Sequence, residues 1–167
     1  MREPNPRKPK LPSSAIASKP EFTAKTEHWF EYPVKAQPHH TDYAGIVWHG
    51  TYLTWMETAR VECLRSIGVD FAELVALGCD LPVVELSLKY HQPVHLGTAA
   101  IVRTRLVETR GVRIHWDYQI KSVDNKILFV SGRVTLVGVD REQGKIIRRL
   151  PDNLQNALVK IQQISQR

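Results

Sequence analysis

Asp42 stands in the stretch HHTDYAGIVWHGTYLTWMETAR, residues 39 to 60, three residues before Gly45 and seven before His49. From His49 and Gly50 onward the spacing is helical. A helix start presents N–H groups with no intrahelical partner and a partial positive charge of about half a unit. A carboxylate just upstream therefore has two readings. Either it forms the turn or caps the helix, or it faces a reacting group held against the helix's positive end. Gly50 has no side chain and leaves room for a bound group to approach that backbone closely. His39 and His40 with Asp42 raise a metal reading. Adjacent His side chains in an extended segment usually point apart, however, and no second His cluster of ligand spacing follows. No metal site is expected.

The elements that must position these residues are legible from periodicity. HWFEYPVKA, from His28, alternates with period two and predicts a strand, placed at a sheet edge because Pro33 lacks an N–H. The loop QPHHTDYAG follows. A helix is expected from about 50 to 67, with Trp48, Tyr52, Trp55/Met56, Ala59, Cys63 and Ile67 on one broad apolar stripe. Leu53, Val61 and Leu64 add apolar groups on other faces, so the helix should be wrapped by its surroundings. On this spacing Trp48, Tyr52 and Trp55 fill core; Tyr52, one turn past Gly50, is also placed to line a pocket at the helix start. Glu57 and Arg60 read as a helix-surface ion pair. Gly68 ends the helix, and Asp70 caps a short second one that stops at Gly78. Strands are expected near 84–91, 99–108, 112–123 and 127–139, with a short extension at 146–148. A helix starting at Pro151 and Asp152 closes the chain. Consecutive strands joined by short turns make antiparallel sheet, and one apolar helix against it is an α+β layer arrangement. Such a sheet leaves an edge for pairing with a second copy.

Composition narrows the function classes. The chain has 167 residues and a net charge of +6, the size of a single domain. Six Lys and Arg against two Glu in residues 1–25 make +4 of that charge and leave +2 for the rest. The basicity belongs to a tail rather than to a patterned groove, which argues against nucleic acid. Five prolines and few large apolar residues predict that tail (1–25) to be disordered, ahead of a domain over 26–167. Cys63 and Cys79 fit neither a metal spacing nor a secreted framework and read as reduced core thiols of a cytoplasmic protein. No apolar run is long enough to span a membrane, and no signal peptide is expected.

The order of elements, with Asp42 where it sits, resembles the hotdog fold, a sheet wrapped around a central helix. TDYAGIVWHGTYLTWMETARVECLRSIG is similar to the motif region of the 4-hydroxybenzoyl-CoA thioesterases. The pattern of Trp48, His49, Tyr52, Glu57, Ala59, Arg60, Glu62, Leu64, Arg65 and Gly68 is closer to the acyl-CoA thioesterases associated with the Tol-Pal system. The likeness covers about 26–152 and is strongest over 42–68.

The resemblance implies hydrolysis of an acyl-CoA or aryl-CoA thioester, with no cofactor beyond the CoA of the substrate. Asp42 matches the catalytic carboxylate and Gly45 the glycine of the tight turn. His49 matches the position whose backbone N–H polarises the thioester carbonyl. The CoA-contacting basic run falls at ETRGVRIHW, where Arg110 matches one arginine, Gly111 replaces a second and Arg113 is offset. Family members are homodimers or dimers of dimers with sites built across the interface. Asp42 then acts as nucleophile or as general base, and the sequence leaves both open. Two other readings stand beside it: a dehydratase of carrier-protein thioesters working through the His49 side chain, with acyl carrier protein as partner, and a non-catalytic acyl-CoA binder.

Overall fold

One stripe of a long helix explains most of the architecture. The computed structural model describes residues 28–165, and the expected tail over 1–25 lies outside the described residues. Helix α1 (His49–Ser66) begins and ends one residue before the expected bounds. Its buried positions are Tyr52, Trp55, Met56, Ala59, Arg60, Cys63 and Leu64, steps of three and one that make a single broad face. Ile67 closes it, and Gly68 at φ +89° turns the chain through the left-handed region. In the short helix α2 (Phe71–Ala76), Asp70 is the expected cap, its Oδ1 accepting from the Ala72 amide at 2.8 Å.

The stripe lies on a five-stranded antiparallel sheet. In chain order the strands are β1 (Phe30–Lys35), β2 (Cys79–Asp80), β3 (Val83–Tyr90), β4 (Ala99–Arg110), β5 (Arg113–Ser122), β6 (Leu128–Val137), β7 (Val139–Asp140) and β8 (Lys145–Ile146). The main sheet runs β1-β4-β5-β6-β3, while β2, β7 and β8 form a small second sheet. Alternation sends Ala100, Val102, Thr104 and Leu106 of β4, which packs on α1, and Ile114, Trp116, Tyr118 and Ile120 of β5 inward to the core. The opposite face is polar. There Asp117 receives Arg133 at 2.7 Å and Arg105 at 3.2 Å, and Glu31 pairs with Arg103 at 3.1 Å. Helix α3 (Asp152–Ser165) packs beside β4 near the α1 C-terminus, burying Leu154, Ala157, Leu158 and Ile161.

Three differences from expectation have physical reasons. The strand expected over 127–139 is broken at Gly138, where a Cβ would stand 2.6–2.9 Å from side-chain atoms of Ile147 and Leu150. Close approach of that backbone to the 147–150 segment is what interrupts pairing. The expected ion pair of Glu57 with Arg60 forms, at 4.0 Å, but Arg60 does not lie on the surface. It is 3% exposed and donates to the Tyr118 hydroxyl at 2.9 Å, while the Glu57 carboxylate stays mostly in solvent. A sheet that curls round the helix reaches positions a flat one leaves outside. Finally, Pro33 does mark an edge, since β1 is one border of the sheet, but the other border is β3. Strand β3 pairs with β6 rather than with its sequence neighbour β4, and its free side carries exposed Val84, Leu86 and Tyr90.

Candidate active site

The segment from His40 to Trp48 folds back on itself as a tight hairpin that ends at α1. The Trp48 amide donates to the His40 carbonyl at 2.9 Å, Thr41 bridges Val47, and the Asp42 amide donates to the Ile46 carbonyl at 2.8 Å. Gly45, at φ +73°, makes the turn that a side chain would strain. The hairpin is tied to the segment before β4, with Val47 N–H on the Val94 carbonyl and Leu96 N–H on the Gly45 carbonyl. Thr51 Oγ1 donates to the His40 carbonyl and binds the hairpin to the first turn of α1.

At that first turn, Trp48 occupies the cap position with no side-chain cap bond. The amides of His49 and Gly50 donate to nothing among the described residues. They are the unpaired donors every helix start presents, here beside a crevice of about 290 Å³. Ile46, Val47, His49, Tyr52, Tyr90 and Pro93 line it with His91 and Gln92. Tyr52 is only 3% exposed and its hydroxyl accepts from the Val94 amide at 3.2 Å, so it is core and crevice wall at once. The Tyr90 hydroxyl donates to the His49 carbonyl at 3.3 Å, closing the crevice from the end of β3.

Asp42 lies on the same hairpin but outside the crevice lining. Its Oδ1 accepts from the amides of Ala44 at 2.8 Å and Ile46 at 3.2 Å, and the side chain is exposed. The turn-former reading holds, and Oδ2 has no partner among the described residues. His39 and His40 do not point apart. Their rings lie 4.0 Å apart, and burial followed by the neighbouring His39 lowers the His40 imidazole below its ordinary range. Asp42, Gly45, His49, Gly50 and Tyr52 are thus gathered at one end of the sheet. Arg110 and Arg113 are not. They flank Gly111 in the β4–β5 turn at the far end, where Arg110 pairs with Glu108 at 3.0 Å.

A family model described as the thioesterase superfamily matches residues 44–129, opening two residues past Asp42. The chain belongs to the thioesterase superfamily. It is an enzyme of thioester hydrolysis, and its antiparallel sheet wrapped on a helix is the hotdog fold. This thioesterase is 53% identical over 161 residues to sll0410 of Synechocystis, which carries an esterase name; the match covers 93% of this chain and 97% of that one. It is 31% identical over 108 residues to YneP of Bacillus subtilis, named for acyl-CoA thioesterase activity, covering 65% and 78% respectively. Among solved structures it is similar to the DHNA-CoA thioesterase of Staphylococcus aureus, at 25% identity and a TM-score of 0.75 over 81% of this chain and 92% of that one.

Sequence reading missed Trp48, Tyr90 and the arginine pair Arg148 and Arg149. Its helical spacing places Trp48 in the core, whereas it is 53% exposed. Tyr90 enters the site only because β3 crosses to the sheet edge, which no local pattern announces. Arg148 and Arg149 line a cavity of about 380 Å³ between the β4–β5 turn and α3. The signal for them was present, two adjacent basic residues closing a short strand, but nothing in spacing joined it to Thr109 and Gly111 on the same cavity.

Proposed function

We propose that this thioesterase hydrolyses an acyl-CoA thioester in a dimer formed along β3, with Asp42 as the reacting carboxylate. The observation that supports it is the pair of amides at His49 and Gly50 with no partner among the described residues, beside a largely apolar crevice that His49 lines and one hairpin away from the Asp42 carboxylate. A thioester carbonyl oxygen that accepts from these amides gains negative charge in the transition state. Each such donor is typically worth about 3–4 kcal/mol of barrier. Asp42 then either adds to the carbonyl carbon, expelling the CoA thiolate and leaving a mixed anhydride for water to cleave, or takes a proton from a water that attacks directly. On both routes water is consumed, the C–S bond breaks, and free acid and CoA thiol leave. The motif likeness over 42–68 to the 4-hydroxybenzoyl-CoA and Tol-Pal-associated enzymes agrees with this reading.

A dimer accounts for the two features the single chain leaves open. Strand β3 runs with Tyr90 at the α1 start and Val83 at the β4–β5 end. Two-fold antiparallel pairing of β3 with a second copy sets that copy's Val83 end beside this copy's Tyr90. The far-end arginines of one copy, Arg110 and Arg113, then lie at the same end as the other copy's helix start. The offset from this copy's β3 is three strand spacings to the partner's β5 and four to its β4, roughly 14–19 Å, a span suited to a long CoA arm. The same pairing covers the exposed apolar side chains of β3.

The test is thiol release from a panel of aryl- and alkyl-CoAs. Asp42→Asn is expected to lower turnover by about 10²–10⁴ with the mass of the dimer unchanged. His49→Ala should matter far less, because the proposed donor is its backbone. Full activity in Asp42→Asn overturns the assignment. An effect concentrated in His49→Ala favours a dehydratase-like use of the imidazole.

A further inference from the structure

Trp48 has no structural reason to be a tryptophan. It makes no cap bond, it is half exposed, and it lies outside the core cluster. Yet its ring is placed with care. A Cβ on Gly50 would meet the indole Cζ3 at 2.0 Å, Cη2 at 2.4 Å and Cε3 at 2.7 Å. Absence of a side chain at position 50 is therefore what lets the indole lie flat on the first turn of α1. The ring is held from the side by the His49 imidazole, 4.6 Å between centroids with a 47° tilt.

Resting on the hydrolase reading above, we propose that Trp48 is a specificity-determining residue. Its indole is the wall against which the acyl group lies next to the reacting carbonyl, and it favours planar aryl groups over straight aliphatic ones. The geometry is close. The Gly50 amide nitrogen is one bond, about 1.46 Å, from the α-carbon that the indole covers. A carbonyl oxygen accepting from that amide sits about 3 Å from it, so the acyl substituent starts within van der Waals reach of the ring. Tyr52 and Tyr90, rings 5.7 Å apart, line the neighbouring crevice together with His49, while Trp48 stands at its margin over Gly50. An aryl group lying on the indole gains the offset or edge-to-face contact that aromatic pairs share beyond burial, roughly 2- to 12-fold in selectivity. An alkyl chain gains burial alone.

The experiment compares kcat/KM for benzoyl-CoA and hexanoyl-CoA in the wild-type protein, Trp48→Ala and Trp48→Phe, with circular dichroism as a check on folding. The benzoyl-to-hexanoyl ratio is expected to fall about five- to tenfold in Trp48→Ala and to return to within about twofold of wild type in Trp48→Phe. Gly50→Ala, which keeps the amide but drives the indole away, should lower the ratio as well. An unchanged ratio in Trp48→Ala, with both substrates losing rate alike, overturns the role of Trp48 and leaves the hydrolase reading standing. A wild-type protein that releases no thiol from either substrate overturns the hydrolase reading and this proposal with it.

Discussion

At the scale of single residues, similar side chains are set to different tasks by their surroundings. Asp42 is a carboxylate in the hairpin before α1, and Asp117 is one on the central strand β5. Asp42 is anchored through one oxygen by two amides and left open at the other. Asp117 is clamped: burial alone would raise its carboxyl, but hydrogen bonds and charge from Arg133 and Arg105 outweigh that and hold it below the ordinary range. A depressed folded value means the stabilisation is complete above the ordinary 3.8 and is lost as pH falls through the lower folded value. Asp117→Asn should therefore cost on the order of 1 kcal/mol at neutral pH, a drop of about 2–4 °C in Tm. It should also flatten the acid limb of a Tm-against-pH curve below about pH 4. Thermal scans of both proteins from pH 2.5 to 7 measure this. The sequence made Asp42 visible because a carboxylate before a helix start is a local pattern. Asp117 was invisible, since its partners come from β4 and β6 and only register brings them together.

Among the elements, α1 and β3 show opposite degrees of legibility. Helix α1 was readable to within a residue at each end because its stripe, its glycine stop and its length are written locally. What its stripe buried was less so: Arg60 was placed outside by its spacing from Glu57 and inside by the curl of the sheet. Strand β3 was readable as a strand but not as a border, because its jump across the sheet to β6 is a decision of packing. Gly132 shows how tight that packing is. A Cβ there would stand 2.3 Å from Leu88 Cδ2 and 2.9 Å from the Ser87 carbonyl oxygen. This uncovered border with its apolar side chains is the surface that the proposed dimer covers. Leu86→Lys puts a charge in the middle of that face. Light scattering should then show the mass of one chain instead of two, with kcat/KM down by on the order of tenfold or more.

For the whole molecule, the distance between the helix start and the basic β4–β5 turn is the feature with the longest reach. Within one chain they occupy opposite ends of the sheet. In the proposed β3 dimer a reversed neighbour brings them to the same end, and each complete site borrows from both chains. Genetics offers a way to see this. Asp42→Asn and a double Arg110→Ala, Arg113→Ala variant should each be impaired alone, yet unfolded together and refolded they should complement. In a hybrid dimer one site inherits both lesions and the other inherits neither, so roughly a quarter of all sites in an even mixture regain full competence. A chain that kept every working part to itself would gain nothing from such a mixture.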